Sequence, residues 1–201
     1  MKKSLKRLVI DSATKFLYIA LYDGESKLGS FYQEGYNDHS VKLMTEIEVL
    51  FEKNSLKVKD IDEIIVGIGP GSYTGLRIGV VVAKMFGWNN DISIKTVSSL
   101  ALIASSYEGD KLILPEIDAR RGNSFLGLYK NAGKGLEIVQ KEELTNLEEY
   151  KNSLQEEVEV ISFGEPNILK ILSSDLLTVV EDIHGLNPNY LRITEAERNL
   201  N

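Results

Sequence analysis

The chain has 201 residues, of which 43% are hydrophobic and 26% are charged, a composition typical of a folded protein with its own core. It contains no cysteine and only two histidines, His39 and His184, which excludes disulfides, thiol nucleophiles, cysteine metal sites and local two-histidine metal motifs. The net charge of −7 argues against a nucleic-acid binder that acts alone, since such proteins carry a basic surface.

No segment is predicted to enter a membrane. The first residues are basic, but the apolar run at 8–10 ends at Asp11, short of the ~7 apolar residues of a signal peptide. The most apolar stretch, residues 78–86, includes Lys84 and is under half the ~20 residues that a membrane span needs. We therefore expect a cytoplasmic protein.

The first half of the chain predicts a β-meander followed by alternating helices and strands. Asp23-Gly24 is a typical tight-turn pair between two strands, and Asn37 and Asp38 are placed to cap the first helix. The stretch 63–68, which is rich in β-branched residues, predicts a strand buried on both faces. The predicted strands are 5–10, 16–22, 27–33, 63–68 and 93–97, and the predicted helices are 38–53, 73–88 and 99–107.

From residue 111 the same order of elements begins again. The predicted strands are 111–117, 124–130, 136–141, 158–163 and 176–180, and the predicted helices are 147–154 and 167–172. This repeat of pattern predicts a duplicated α/β unit rather than one long sheet. Glu108-Gly109-Asp110 marks the boundary, with residues 1–108 as the first subdomain and 109–201 as the second.

Residues 67–79, GIGPGSYTGLRIG, place a glycine-rich loop between a strand and a helix. Exposed amides and the helix dipole favour phosphate at such a position. However, no glycine here is followed by lysine as in a Walker-type loop, the dinucleotide fingerprint fails at Ser72 and Thr74, and Pro70 lacks an amide donor. Two interpretations stay open, a ligand-binding loop and a tight structural turn.

The helix after this loop carries small residues at every fourth position. They are Gly71, Gly75, Gly79, Ala83 and Gly87. This spacing makes one continuous ridge on a helix that is otherwise apolar apart from Arg77 and Lys84, and a helix that is apolar all round is buried all round. We expect a partner protein to cover the ridge, so that Gly79→Leu weakens an interface and leaves the fold intact. The alternative is a helix enclosed within its own chain.

The first two helices together form the expected docking surface. Arg77, an isolated cation on an apolar helix, is expected to pair with an acid of a partner or of the other half of the chain. When no partner is present, the same surface is expected to form a two-fold homodimer. The candidate partner-binding residues are Val41, Met44, Val49, Gly71, Thr74, Gly75, Arg77, Ile78, Gly79, Val81, Ala83 and Trp88.

Residues 69–79, GPGSYTGLRIG, resemble the hallmark of the TsaB (YeaZ) family, bacterial proteins required for making threonylcarbamoyladenosine beside the anticodon of tRNA. Three further stretches resemble family motifs in the same order along the chain: residues 10–14 (IDSAT), 117–122 (IDARRG) and 188–192 (PNYLR). The resemblance implies the duplicated actin-like ATPase fold, an α/β fold with two βββαβα-type subdomains, of which the second is trimmed here.

Departures from the active ATPases of that fold imply a degraded nucleotide site. Those proteins carry an aspartate followed by glycine in both first hairpins, whereas Ser12 follows Asp11 here and Ala119 follows Asp118. The two aspartates are either relics of a phosphate or magnesium site or caps of their turns, and Arg120 either grips a phosphate or is solvated. The candidate residues of this site are Asp11, Gly69, Gly71, Asp118 and Arg120.

The resemblance implies a non-catalytic scaffold subunit that docks on the family's catalytic paralogue, TsaD. The paralogue holds a metal with two histidines where this chain has Ser99 and Ile103, so neither a metal site nor a catalytic residue is expected. ATP, magnesium and the metal are expected on partner subunits, TsaE is expected in the full complex, and tRNA is expected to bind only through that complex. The alternative is an ATP-binding small-molecule kinase or ATPase of the actin-like fold, whereas a protease has no constellation to support it.

Overall fold

The computed structural model describes residues 4–35 and 38–191, in which the chain forms ten β-strands and five α-helices. The strands are β1 Lys6–Asp11, β2 Phe16–Asp23, β3 Ser26–Glu34, β4 Glu63–Gly67, β5 Ser93–Val97, β6 Leu112–Asp118, β7 Ser124–Ala132, β8 Gly135–Thr145, β9 Val158–Ile161 and β10 Thr178–Val179. The helices are α1 His39–Lys53, α2 Tyr73–Asn90, α3 Ser99–Ser105, α4 Leu147–Ser153 and α5 Ile168–Leu172. The predicted cap Asn37 and Arg192 of the closing motif lie outside the described residues. None of the described helices is long and apolar enough to cross a membrane.

The first sheet is built on the predicted meander. β1 pairs antiparallel with β2, placing Val9 opposite Ala20, and β2 pairs antiparallel with β3. β4 lies parallel to β1 on its other side, and β5 lies parallel to β4. All five residues of β4 are buried, as expected for a β-branched run in the middle of a sheet.

The second sheet repeats this connectivity. β6, β7 and β8 form another antiparallel meander, and β9 lies parallel to β6 as β4 lies parallel to β1. The described part of the second sheet has four strands in the order β8-β7-β6-β9, without a counterpart of β5. The duplicated α/β fold with two βββαβα-type subdomains, of which the second is trimmed, is therefore confirmed. β8 continues to Thr145, beyond its predicted end at residue 141.

The last predicted strand, residues 176–180, does not belong to the second sheet, and that part of the prediction is wrong. Its central residues form β10, which pairs antiparallel with β5 and extends the first sheet. The chain stays with the first half from there, because Leu186 packs in its core and the amide of Asn189 donates to the carbonyl oxygen of Ile68 at 2.7 Å. The subdomain boundary after residue 108 stays a prediction, with residues 178–190 packed against the first half.

The sheets and helices stack in layers because side chains alternate along each strand. Leu8 and Ile10 of β1 pack in one core with α1 and α2, while Val9 packs in a second core with α3. That second core also contains Ile113 of β6 and residues of α5, so α3 and α5 lie between the two sheets. α4 packs on the second sheet through Tyr150 in a third core.

Candidate functional site

The glycine loop after β4 folds onto the hairpin between β1 and β2. The amide of Ser72 donates to the carbonyl oxygen of Ala13 at 2.7 Å, and the amide of Gly69 donates to Ser99 Oγ at 3.2 Å. At Gly71 a Cβ would lie closer to the Ala13 carbonyl than real Cβ atoms come. Both amides are used within the chain and the backbones are in direct contact, which favours the tight structural turn over the ligand-binding loop.

The glycine ridge of α2 faces the chain's own first sheet. The Ser12 hydroxyl, buried after β1, donates to the carbonyl oxygen of Gly75 at 2.7 Å and accepts from the amide of Gly79 at 3.1 Å. A Cβ at Gly79 would lie 2.7 Å from that hydroxyl oxygen, and a Cβ at Gly87 would lie 2.6 Å from the side chain of Ile94. The absence of side chains at these glycines lets α2 pack closely against Ser12 after β1 and against Ile94 of β5.

The prediction that a partner covers the ridge is therefore wrong. Gly75, Gly79 and Ala83 are buried within the chain and cannot contact a partner, and Gly71 lies against the hairpin. The spacing of the small residues defines the angles between them on the helix, but it does not identify which side of the helix faces the sheet. The expectation that Gly79→Leu leaves the fold intact is wrong for the same reason. The four-carbon leucine side chain would have to occupy the space where Gly79 packs against Ser12.

The opposite side of α2 and the adjoining side of α1 expose large apolar side chains, and we call this surface the α1–α2 face. Its apolar members are Val41 (70% exposed), Met44 (41%), Tyr73 (50%), Val81 (51%), Met85 (47%) and Trp88 (61%). Of the other predicted partner-binding residues, Thr74 and Arg77 are exposed here, and Val49 and Ile78 are half-buried.

Tyr73 and Met85 belong to this face but were not among the predicted residues. A signal for both was present in the sequence. At 100° per residue, Tyr73 and Met85 lie within about 120° of the charged residues Arg77 and Lys84, which mark the arc of α2 that faces away from the core. The small residues occupy the other side of the helix.

Arg77 lies at the N-terminal end of the α1–α2 face, between two tyrosines. Its Nε donates to Tyr190 Oη at 3.0 Å, its Nη2 donates to Tyr73 Oη, and its guanidinium carbon lies 4.0 Å from the centre of the Tyr73 ring. The two tyrosine rings stack with their centres 4.9 Å apart. The side chain is thus held in one orientation by a residue of its own helix and a residue of the C-terminal segment.

The two histidines occupy unrelated positions. His39 begins α1, with its Nε2 3.2 Å from the carbonyl oxygen of Lys15, and the exposed His184 packs against Trp88 with ring centres 3.9 Å apart. No group of three or more metal-binding side chains occurs among the residues that the structure describes.

A cleft of about 1200 Å³ opens between the start of α2 and the hairpin that follows β6. Gly71, Asp118 and Arg120 line it, whereas the buried residues Asp11 and Gly69 do not. Asp118 accepts a hydrogen bond from the amide of Arg120 at 2.7 Å, which is the geometry of a turn cap. The candidate nucleotide residues are thus divided between the cleft and the interior.

Asp11 is enclosed at the end of β1. Its Oδ1 accepts from the amide of Ala13 and from the hydroxyl of Ser99, each at 3.0 Å. Burial raises the pKa of the Asp11 carboxyl from its ordinary 3.8 to about 6, against the opposing effect of these hydrogen bonds. The carboxyl group ties the hairpin to the start of α3 and does not point a charge into the cleft.

We expect Asp11→Asn to change the pH dependence of stability. Because the folded chain binds the Asp11 proton more tightly than the unfolded chain, this carboxyl supports the fold fully below pH ~4 and costs stability as the pH rises through about 6. The difference between 3.8 and about 6 corresponds to about 3 kcal/mol. In urea unfolding at several pH values, the free energy of unfolding of the variant should increase relative to that of its parent by about this amount between pH 4 and 7. A constant difference would contradict the assignment, and Asp118→Asn is the matched exposed control.

Both the sequence and the fold are similar to those of known proteins. A family model described as "TsaD: tRNA N6-adenosine threonylcarbamoyltransferase" matches residues 33–176. Two solved structures share the fold at 21% sequence identity. One is titled as an uncharacterized protein with similarity to peptidase YEAZ from Pseudomonas aeruginosa (TM-score 0.77, 94% of this chain and 100% of that one), and the other is YeaZ from Pseudomonas aeruginosa (TM-score 0.72, 84% and 89%).

Two sequence relatives carry the same description, "tRNA threonylcarbamoyladenosine biosynthesis protein TsaB". The protein of Escherichia coli K12 is 25% identical over 66% of this chain and 58% of its own length. The protein of Bacillus subtilis 168 is 33% identical over 94% of this chain and 95% of its own length. Because this second match spans nearly the whole of both chains, the chain belongs to the TsaB (YeaZ) family of tRNA threonylcarbamoyladenosine biosynthesis proteins.

Proposed function

We propose that this chain is a non-catalytic scaffold subunit that docks on the TsaD transferase and supports transfer of a threonylcarbamoyl group to tRNA adenosine. The observation that carries the proposal is the α1–α2 face, where six large apolar side chains are exposed on two adjacent helices. Large apolar side chains concentrated on neighbouring helices are seldom left in water and are typical of an interaction site.

The composition of the α1–α2 face supports protein docking in particular. Interface centres are enriched in tryptophan, tyrosine, methionine and arginine, and a few such residues carry most of the binding energy. The face presents Trp88, Tyr73, Met44 and Met85, with Arg77 beside them. The first two helices are therefore the proposed contact with TsaD, and the same surface is proposed to form a homodimer when TsaD is absent.

The cleft gives less support to the alternative, an ATP-binding kinase or ATPase. Glu116, which lines the cleft, accepts from the hydroxyls of Ser124 at 2.6 Å and Ser162 at 3.1 Å, and Asp118 caps its own turn. Asp11 is enclosed and hydrogen-bonded inside the chain. Each of these three carboxylates thus accepts hydrogen bonds within the chain, which favours a structural role over binding magnesium and a phosphate. We propose that ATP and metal ions bind on partner subunits, that TsaE joins the full complex, and that tRNA is contacted through that complex.

Two measurements on the purified chain test this proposal. In sedimentation, the chain alone should form a dimer, and an equimolar amount of TsaD should convert it to a complex of the two proteins. In calorimetry, magnesium-ATP should give no binding heat with the isolated chain. Micromolar ATP binding together with no complex would instead establish the kinase or ATPase alternative.

A further inference from the structure

The Arg77 side chain and the two tyrosines around it form a preorganised cationic group, which we call the Arg77 clamp (Arg77, Tyr73 and Tyr190). Arg77 is exposed, and among the described residues no carboxylate forms an ion pair with its guanidinium. The acid that the sequence predicts for Arg77 is thus not supplied by the other half of the described chain. The two tyrosine oxygens accept two of the guanidinium's hydrogen bonds but do not neutralise its positive charge.

The hydrogen-bond donors of Arg77 are only partly used. A guanidinium has five N–H groups. Nε–H is donated to Tyr190 and one Nη2–H is donated to Tyr73, which leaves one N–H on Nη2 and both on Nη1. Donors on two adjacent terminal nitrogens match the two oxygens of a carboxylate. Because the tyrosines already fix the side chain, an acid that binds there loses less side-chain entropy than it would with a mobile arginine.

The charge around the Arg77 clamp points to an acidic ligand. α2 contains no aspartate or glutamate between Tyr73 and Asn90, and its other cation, Lys84, donates to the carbonyl oxygens of His184 at 2.8 Å and Leu186 at 3.1 Å rather than to an acid. A chain with a net charge of −7 thus presents an uncompensated positive spot within its apolar surface. Complementary charge across an interface selects the correct partner and its orientation.

We propose that the Arg77 clamp receives one aspartate or glutamate side chain of the protein that docks on the α1–α2 face, held by the terminal nitrogens of the guanidinium. This inference rests on the proposed function, since the partner is the transferase. A protein carboxylate is favoured over a tRNA phosphate because Val81, one turn after Arg77 on α2, is an exposed apolar side chain that suits a dry protein interface.

Affinity measurements with the intact partner test the Arg77 clamp. Arg77→Gln should raise the dissociation constant of the complex about 30- to 100-fold, as loss of an arginine that anchors an interface does. Arg77→Lys keeps the positive charge but loses the paired donors of the planar guanidinium, so an increase of about tenfold in the dissociation constant is expected. Tyr190→Phe removes one fixing hydrogen bond and should cost about threefold to tenfold. Arg121→Gln, a change at another exposed arginine, should leave the constant unchanged.

A zero-length cross-link identifies the ligand. In the complex formed with Arg77→Lys, a carbodiimide should join the introduced amine to an aspartate or glutamate of the partner, and mass spectrometry locates that peptide. Binding of both Arg77 variants within twofold of the parent, or coupling of the amine only to carboxylates of its own chain, would overturn the inference. So would a loss confined to tRNA affinity. If the unaltered chain forms no complex at all, the proposed function itself fails.

Discussion

Gly75→Ala is expected to destabilise the isolated chain by about 3 kcal/mol, at the upper end of the usual cost of overpacking. The added Cβ would meet the backbone carbonyl oxygen of Ser12, closer than real Cβ atoms come, and a backbone group cannot swing aside as a side chain can. Moving α2 outward would also stretch the hydrogen bonds of the Ser12 hydroxyl to Gly75 and Gly79. Urea unfolding of the purified variant measures the change.

Whether Gly75→Ala lowers or raises the free energy of unfolding distinguishes a glycine ridge that faces the sheet from one that faces outward. Replacing glycine by alanine in a helix normally stabilises it by about 1 kcal/mol, so a ridge that faced outward would make Gly75→Ala more stable than its parent. A gain in stability would therefore contradict the packing of α2 on β1. Thr74→Ala, at an exposed neighbouring position, is the control and should change stability by no more than about 0.5 kcal/mol. Gly79→Leu, with a larger side chain against Ser12, should not fold.

The double variant Val81→Lys/Trp88→Ala is expected to weaken the complex with TsaD more than 100-fold while leaving the fold intact. Truncation of an interface tryptophan typically costs 2 kcal/mol or more, and an unpaired lysine amine placed in an apolar contact adds its desolvation cost. Together these exceed about 3 kcal/mol, or more than about 100-fold in dissociation constant. Both side chains are more than half exposed in the isolated chain, so little stability should be lost.

Sedimentation and calorimetry check this prediction. The variant should also lose the homodimer, because the same face is proposed for both contacts. Val139→Lys is the matched control, since Val139 is 42% exposed but lies on β8 of the second sheet. A double variant that binds TsaD as tightly as its parent would place the contact elsewhere on the molecule.

Local features of the sequence predicted most of the fold. The β-branched residues of β4 and the Asp23-Gly24 turn each determine a local structure, as does the apolar stripe of α1 formed by Leu43, Ile47, Leu50 and Phe51. The repeated order of elements identified the duplication. β10 could not be placed in this way. Two residues form a strand there because β5 offers an open edge, and that edge exists only once the first sheet is assembled.

The candidate site shows the same limit. The spacing of the small residues on α2 was evident, but the surface that they meet is Ser12, a residue far away in the sequence whose hydroxyl reaches the helix only in the folded chain. The contact between Arg77 and Tyr190 likewise joins positions that no local pattern connects. The two charged residues of α2, Arg77 and Lys84, were the available signal for the side of the helix that faces away from the core. They indicate this side better than the large number of apolar residues around the helix does.

Reconstituted modification of tRNA tests the scaffold role most directly. Threonylcarbamoyladenosine would be quantified by mass spectrometry after reaction of unmodified tRNA with the threonylcarbamoyl adenylate, TsaD and TsaE, with this chain omitted, added, or replaced by Val81→Lys/Trp88→Ala or Val139→Lys. We predict modification with the parent and with Val139→Lys, and little or none with the chain omitted or with the folded double variant. Full modification by TsaD and TsaE in the absence of this chain would contradict the proposed function.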